Sequence, residues 1–285
     1  MAVRFGVVGT GNIGSQHIQL LNSGKVTGAT LAATASRSTP HLETGVPHFV
    51  DYRQMFSDAD INAVLIATPT MSHVEVAQAA LEHSLHVVME KPIAMSMHQA
   101  ETLLARVPDD LKFAVMLNQR FHPAYAKLKQ LLVDDAIGNL QRVGWTMTAW
   151  YRPDIYYQVS SWRGTWPGEG GGLLINQCIH NLDVLQWLVG LPNSITANVS
   201  FGKYHDIDVE DEVSALMTFE NGATGTLTAS CGEAPGVNRI EIVGDRGSLV
   251  FEKGVIEVLR SSESVQSHCR TTHEMFGMPE FEGET

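Results

Sequence analysis

Val3-Arg4-Phe5-Gly6-Val7-Val8-Gly9-Thr10-Gly11-Asn12-Ile13-Gly14 is the stretch on which the fold turns. It opens with an apolar run of strand length, places glycines at the GxGxxG spacing, and leads into 13–21, where apolar residues recur at helical intervals. Glycines at that spacing occur in many unrelated loops, and an ordinary glycine turn is the bland alternative. Strand before, helix after and a place at the chain start select a dinucleotide-binding fold instead. In that reading Gly9 permits the tight turn, Gly11 admits a pyrophosphate to the backbone and Gly14 lets helix and strand pack closely. Asn12 and Ile13 begin a helix whose N-terminus offers N–H donors and partial positive charge.

Outward from this turn, strand-like runs at 30–35, 63–67, 86–89 and 112–117 alternate with helical patterns at 72–82 and 97–106. Thr70 or Ser72 is the expected N-cap of the former. The alternation predicts a parallel, doubly wound Rossmann sheet over residues 1–121. Residues 122–285 read differently. A helix at 124–132 precedes strand-like alternation from Leu140 to Tyr151 and from Ile195 to Val258. Turn signals at Glu220-Asn221-Gly222, at 244–247 and at Glu252-Lys253-Gly254 divide the later strands into a meander. One long helix is expected at 173–189, stopped by Gly190 and Pro192. The fold class is therefore α/β plus α+β, a Rossmann domain joined to an open, mostly antiparallel sheet. The tail from Ser261 is polar, lacks periodicity and reads as poorly ordered.

The 285 residues suit two domains of ordinary size. Nineteen Lys and Arg against 31 Asp and Glu give a net charge of -12, which disfavours nucleic acid as a partner. The three cysteines, Cys178, Cys231 and Cys269, are widely spaced and read as free thiols in a reducing compartment. No leader and no segment of transmembrane length is evident, so cytoplasmic residence is expected.

Cofactor choice is read at the end of the second strand, where an acid favours NAD and an arginine favours NADP. No Asp or Glu lies between Gly14 and Glu43, and Ser36-Arg37-Ser38 offers a guanidinium fork and two hydroxyls. NADP is thereby favoured over NAD, with Arg37 stacking on adenine as the alternative that suits either.

Ala67-Thr68-Pro69, His73, Glu90-Lys91-Pro92, Asn118-Gln119-Arg120-Phe121, Gly170-Gly171-Gly172-Leu173-Leu174, His180 and Asp183 stand in an order that resembles the glucose-fructose oxidoreductase, inositol dehydrogenase and rhizopine catabolism (Gfo/Idh/MocA) family. The resemblance implies a nicotinamide-dependent enzyme that oxidises or reduces a sugar, glycoside or cyclitol. It implies that Lys91 reaches the substrate hydroxyl and nicotinamide ribose, and that His180 accepts the proton. It places Thr68, Pro69, His73, Glu90 and Arg120 with the glycine turn at the cofactor. The residues agree: Lys91 follows a parallel strand at its carboxyl end, where ligands bind, and a histidine titrates near neutrality. A solvated lysine and a satisfied interior histidine are the bland alternatives.

Asn176, His180, Asp183 and Trp187 fall at steps of four, three and four, one helical stripe, beside an apolar stripe of Ile175, Ile179, Leu182 and Val189. Asp183 is expected to orient or charge-balance His180, or to cap local backbone. Many sugar and inositol dehydrogenases of the family carry Asp where this chain has Asn176. Asparagine can hydrogen-bond a hydroxyl but cannot take its proton, so the base function falls to His180 assisted by Lys91. His180 and Cys178 lack further ligands at a recognisable spacing, and no metal is expected. Tyr151, Trp162 and Arg163, with Trp150, Arg152, Tyr156, Tyr157 and Trp166, suit either a carbohydrate pocket or a subunit interface. Two rival functions stand beside the dehydrogenase: a non-catalytic cofactor-binding sensor, and a glycoside hydrolase using NAD for transient oxidation. The family also implies a homo-oligomer, and a closing helix and strand that this chain lacks after Glu257, so the second domain reads as shortened.

Overall fold

The computed structural model describes residues 2–38 and 43–284 and divides them into two compact units. One comprises the residues up to Met116 together with Pro167–Gly170; the other comprises Leu117–Trp166 and the residues from Gly171 on. Among the described residues no helix is long and apolar enough to cross a membrane.

In chain order the first unit contains β1 (Val3–Val8), α1 (Asn12–Asn22), β2 (Ala29–Ala35), β3 (His48–Phe49), α2 (Tyr52–Asp58), β4 (Ala63–Ile66), α3 (His73–Glu82), β5 (His86–Met89), α4 (Met97–Leu104) and β6 (Phe113–Val115). The six strands are parallel and lie in the order β3-β2-β1-β4-β5-β6. The order reverses between β1 and β4, where a doubly wound sheet opens a crevice at its carboxyl edge. All four residues of β4 are buried, as a central strand covered on both faces must be.

Two local features differ from expectation. Helix α2 had no periodic signal, because its seven residues bury only Met55 and Phe56; Asp51 caps it by accepting from the Arg53 N–H at 2.9 Å. Ser72 does not cap α3. Its hydroxyl donates to Thr68 Oγ1 and the Pro69 carbonyl, both at 2.9 Å, and a 3-10 turn over Thr70–Ser72 leads into the helix instead.

The second unit contains α5 (Pro123–Val133), β7 (Leu140–Met147) and α6 (Asp154–Gln158); the single turn α7 (Trp166–Glu169) follows. It continues with α8 (Leu173–Asn176), α9 (Ile179–Val189), β8 (Ser194–Phe201), β9 (Glu210–Thr218), β10 (Thr224–Ser230), β11 (Asn238–Gly244), β12 (Gly247–Glu252), β13 (Val255–Arg260), α10 (Val265–Thr271) and β14 (Glu282–Glu284). The sheet order is β14-β13-β12-β11-β7-β10-β9-β8. The expected meander is thus split: β7 lies between β10, to which it is parallel, and β11, to which it is antiparallel. Val143, Trp145 and Met147 of β7 are buried in a core with Leu128 and Leu131 of α5, and Val184, Leu185 and Leu188 of α9. The alternate residues of the strands, Thr224 and Thr226 among them, are exposed.

The single helix expected at 173–189 is broken. The N–H groups of Gln177 and Cys178 both donate to the Leu173 carbonyl, at 3.0 and 2.9 Å, so one acceptor serves two donors and the ladder restarts at Cys178. The buried stripe also differs. Leu173, Gln177, Cys178, Asn181, Val184, Leu185 and Leu188 face inward, while Ile175, Ile179, Leu182 and Val189 are only half-buried. The tail, expected to lack order, forms α10, capped by Ser264 through the Ser267 N–H, and β14, which pairs with β13. A helix and a strand therefore follow Glu257 where none was expected.

Candidate functional site

At the carboxyl ends of β1, β2 and β4 the first unit encloses a cavity of about 450 Å³ lined by Gly9, Thr10, Gly11, Ser36, Arg37, Thr68 and Pro69 among others. Gly9 turns the chain at φ +94°, and a Cβ there would lie 2.5 Å from the Ala67 carbonyl oxygen at the end of β4. A Cβ on Gly14 would overlap the Gly9 carbonyl oxygen, whereas one on Gly11 would meet nothing. The chain thus leaves open space where α1 begins, and Gly11, its N-cap residue, supplies no side-chain cap. Free N–H groups beside a void are the arrangement that accepts a phosphate. A nicotinamide dinucleotide fits this donor set.

Thr10 Oγ1 and Ser36 Oγ lie 2.8 Å apart, tying the glycine turn to the end of β2, and Ser36 donates onward to the Ser38 carbonyl at 2.5 Å. Arg37 is exposed at the wall, and none of the lining residues is acidic. Val50, Tyr52 and Met71 also line it and escaped sequence reasoning: Tyr52 opens the short α2, Val50 precedes it, and Met71 lies in the 3-10 turn before α3. Burial, reinforced by its hydrogen bond to Glu75 at 3.0 Å, pushes the Tyr52 phenol up to about 12.

Asn12, Ile13 and Gly14 follow Gly11 in the first turn of α1 and are not among the side chains that line the cavity. His73 is 1% exposed and also stands away from it. Its ring nitrogens sit 2.7 Å from the Pro92 carbonyl and 2.9 Å from the Thr68 carbonyl, so it bridges the segments after β4 and β5. Burial lowers its pKa, against the opposing pull of those two carbonyls. Glu90 meets His17 Nε2 at 2.7 Å. Burial would raise that carboxyl, but the bond and charge of His17 and the Lys91 N–H hold it below its ordinary value. Lys91 follows directly, half-buried, two residues past the end of β5.

The second unit carries the other candidates. Asn176 Nδ2 and Gln177 Nε2 each donate to Tyr156 Oη at 3.4 Å. His180 lies in the first turn of α9 and is half-buried. Asp183 pairs with Arg120, accepting at 2.8 Å from Nε and 2.6 Å from Nη2. Arg120, expected at the cofactor, thus has its fork filled by that carboxylate, its guanidinium 5.8 Å from the Trp187 ring centre. Arg163 packs on Tyr156 and Trp162, at 4.5 and 5.2 Å, while Tyr151 is exposed.

Two buried acids missed in the sequence organise this region. Glu210 accepts from the Gly172 N–H at 2.8 Å and the Leu174 N–H at 3.0 Å, fixing the start of α8. Asp211 accepts from the N–H groups of Lys203, Tyr204 and His205 and meets His205 Nδ1 at 3.2 Å; His205 Nε2 lies 2.7 Å from the Arg152 carbonyl. The only sequence signal was the run Glu210-Asp211-Glu212 at a strand start, which gives no hint of partners so distant. Among the described residues no cluster of His, Cys, Asp and Glu is placed to hold a metal ion.

Comparison with known proteins bears on both units. A family model described as "Oxidoreductase family, NAD-binding Rossmann fold" matches residues 3–117, and one described as "GFO/IDH/MocA C-terminal domain" matches residues 125–250. Levoglucosan dehydrogenase of Pseudarthrobacter phenanthrenivorans is 31% identical over 70% of this chain and 58% of its own length. The scyllo-inositol 2-dehydrogenase (NAD(+)) of Bacillus subtilis is 27% identical over 87% of this chain and 73% of its own. Among solved structures, the WlbA dehydrogenase of Bordetella pertussis in complex with NADH and UDP-GlcNAcA superposes with a TM-score of 0.83, at 26% identity, covering 92% of this chain and 84% of that one.

Proposed function

Because the chain belongs to the Gfo/Idh/MocA oxidoreductases, with their NAD-binding Rossmann domain and their C-terminal domain, we propose that it transfers hydride between a nicotinamide dinucleotide and a secondary carbon of a sugar, glycoside or cyclitol. Residues 1–121 hold the cofactor in this reading, and 122–285 hold the substrate and mediate homo-oligomerisation. The observation that carries it is the cavity at the glycine turn, open at Gly11 and rich in uncapped donors.

When bound, the nicotinamide supplies the two-electron acceptor for the hydride leaving the carbinol carbon. His180 takes the proton from the hydroxyl, and the Lys91 ammonium stabilises the oxygen as its negative charge grows. Asn176 donates to a neighbouring hydroxyl and takes no proton. In the reverse direction His180 returns the proton to the carbonyl oxygen.

NADP is the proposed preference over NAD. Ser36 and Arg37 line the cavity and no acid does, which suits a ribose phosphate better than a bare ribose hydroxyl pair. The NADH complexes of the relatives supply the alternative.

The test is nicotinamide absorbance with a panel of polyols, glycosides and sugar acids, NAD and NADP in parallel. His180→Ala is expected to lower turnover about 100-fold or more while leaving dinucleotide binding intact. Undiminished turnover in that variant would overturn the assignment.

A further inference from the structure

Tyr156 is flanked by two guanidinium groups, Arg163 at 4.5 Å and Arg152 at 5.1 Å from its ring centre. Both arginines are half-buried. Each spends one nitrogen on a main-chain carbonyl: Arg163 Nη1 donates to Tyr156 at 3.3 Å, and Arg152 Nη1 to Tyr151 at 2.9 Å and Trp150 at 3.4 Å. The Nε of each is buried without a hydrogen-bond partner. No carboxylate pairs with either among the described residues, although Arg120, Arg142, Arg239, Arg246 and Arg260 each meet one.

In a chain with 31 acids and 19 bases, counter-charge is plentiful. Two like charges packed on one ring repel, and a buried Nε–H without an acceptor carries a desolvation cost. Such an arrangement persists where an anion from outside completes it. The amides of Asn176 and Gln177 both donate to the Tyr156 hydroxyl, which fixes the ring between the two cations. His205 holds the Arg152 carbonyl at 2.7 Å, so the backbone that carries one of the cations is anchored.

We propose that Arg152 and Arg163 bind an anionic group on the substrate, making this chain selective for an acidic sugar derivative over a neutral polyol. The inference rests on the dehydrogenase reading above and names its substrate class. The anion is a carboxylate, as in a uronate, or a phosphate ester, as in a sugar phosphate or nucleotide sugar. Planar guanidinium forks serve both.

The experiment is calorimetric titration of the full chain, saturated with reduced dinucleotide, with glucose, glucuronate, glucose 1-phosphate and UDP-glucuronate. At least one anionic probe is expected to bind ten-fold or more tightly than glucose, roughly what one charge-assisted pair contributes. Glucuronate in the lead identifies a carboxylate site, and either phosphate probe in the lead identifies a phosphate site. Arg163→Gln and Arg152→Gln are expected to bring the ratio of anionic to neutral affinity towards one, with the stabilisation by reduced dinucleotide retained as evidence of folding. Should either variant fail to fold, the wild-type chain still decides: 0.5 M salt is to weaken the anionic probe and spare glucose. Equal affinity for glucose and all three anions overturns the proposal, as does a ratio unmoved by both substitutions. Preferential anion binding with no nicotinamide redox change on any substrate would sink the dehydrogenase reading alone.

Discussion

Glu210 positions the segment that carries the proposed catalytic residues without reaching them itself. Its buried carboxylate holds the first turn of α8, and Asn176 closes that turn, with His180 one step past the break. Removing it leaves the buried Gly172 N–H and the half-buried Leu174 N–H without acceptors, so Glu210→Ala is expected to destabilise the chain by about 2–3 kcal/mol in urea unfolding. Glu210→Gln, which keeps one acceptor oxygen, should lose less; equal losses would mean that the two bonds are not the source. His73 is the second such residue. Its pKa is lowered by burial, so its contribution is complete above the unfolded histidine value near ~6.5 and is lost as pH falls through the lower folded value. The melting temperature is therefore expected to fall with acidification below neutrality, and less steeply in His73→Gln. Parallel profiles would show that other histidines dominate. Neither residue's role could be read from sequence, since Glu210 stands 38 positions from Gly172 and His73 stands 19 from Pro92. That Ser36 and Arg37 stand beside the glycine turn could be read from sequence, because the end of the second strand and the turn after it are contiguous in the chain, and both line the cavity.

At the scale of elements, β1 and α1 followed from local pattern because everything that forms them lies within a few residues. The break between α8 and α9 did not, since its cause is the sharing of one carbonyl by two N–H groups in a segment that is apolar on most sides. Helix α2 was too short to establish a period, and β14 depends on pairing with β13 across a polar tail. The glycine turn makes a discriminating pair of substitutions. Gly14→Ala drives a methyl into the Gly9 carbonyl and should cost both stability and dinucleotide affinity, the latter about ten-fold or more. Gly11→Ala meets no atom within 4 Å, so it should cost only the difference between Gly and Ala as N-cap, under about 1 kcal/mol in urea unfolding, while lowering dinucleotide affinity. Fluorescence titration beside urea unfolding separates the two; a Gly11→Ala variant with unaltered affinity would place the phosphates elsewhere.

For the whole molecule, the cavity at the glycine turn lies wholly within the first unit. A dinucleotide present at one hundred times its Kd adds about 2.7 kcal/mol to the state that binds it. A scan of the full chain should therefore show a ligand-dependent rise in melting temperature, and none with a sugar alone if the sugar needs the dinucleotide in place. The topology of the second unit has a consequence for synthesis on the ribosome. Strand β7 sits at the middle of its sheet, yet Trp145 waits for Asn238, 93 residues later, before its indole N–H finds its acceptor. Helices α8 and α9 and strands β8 and β9 emerge while that apolar strand lacks both neighbours, and β10 then supplies only one of them. Assembly of this unit is thus back-loaded: the first strand made is among the last completed, and the nascent chain is most exposed to aggregation in the interval before β11 arrives.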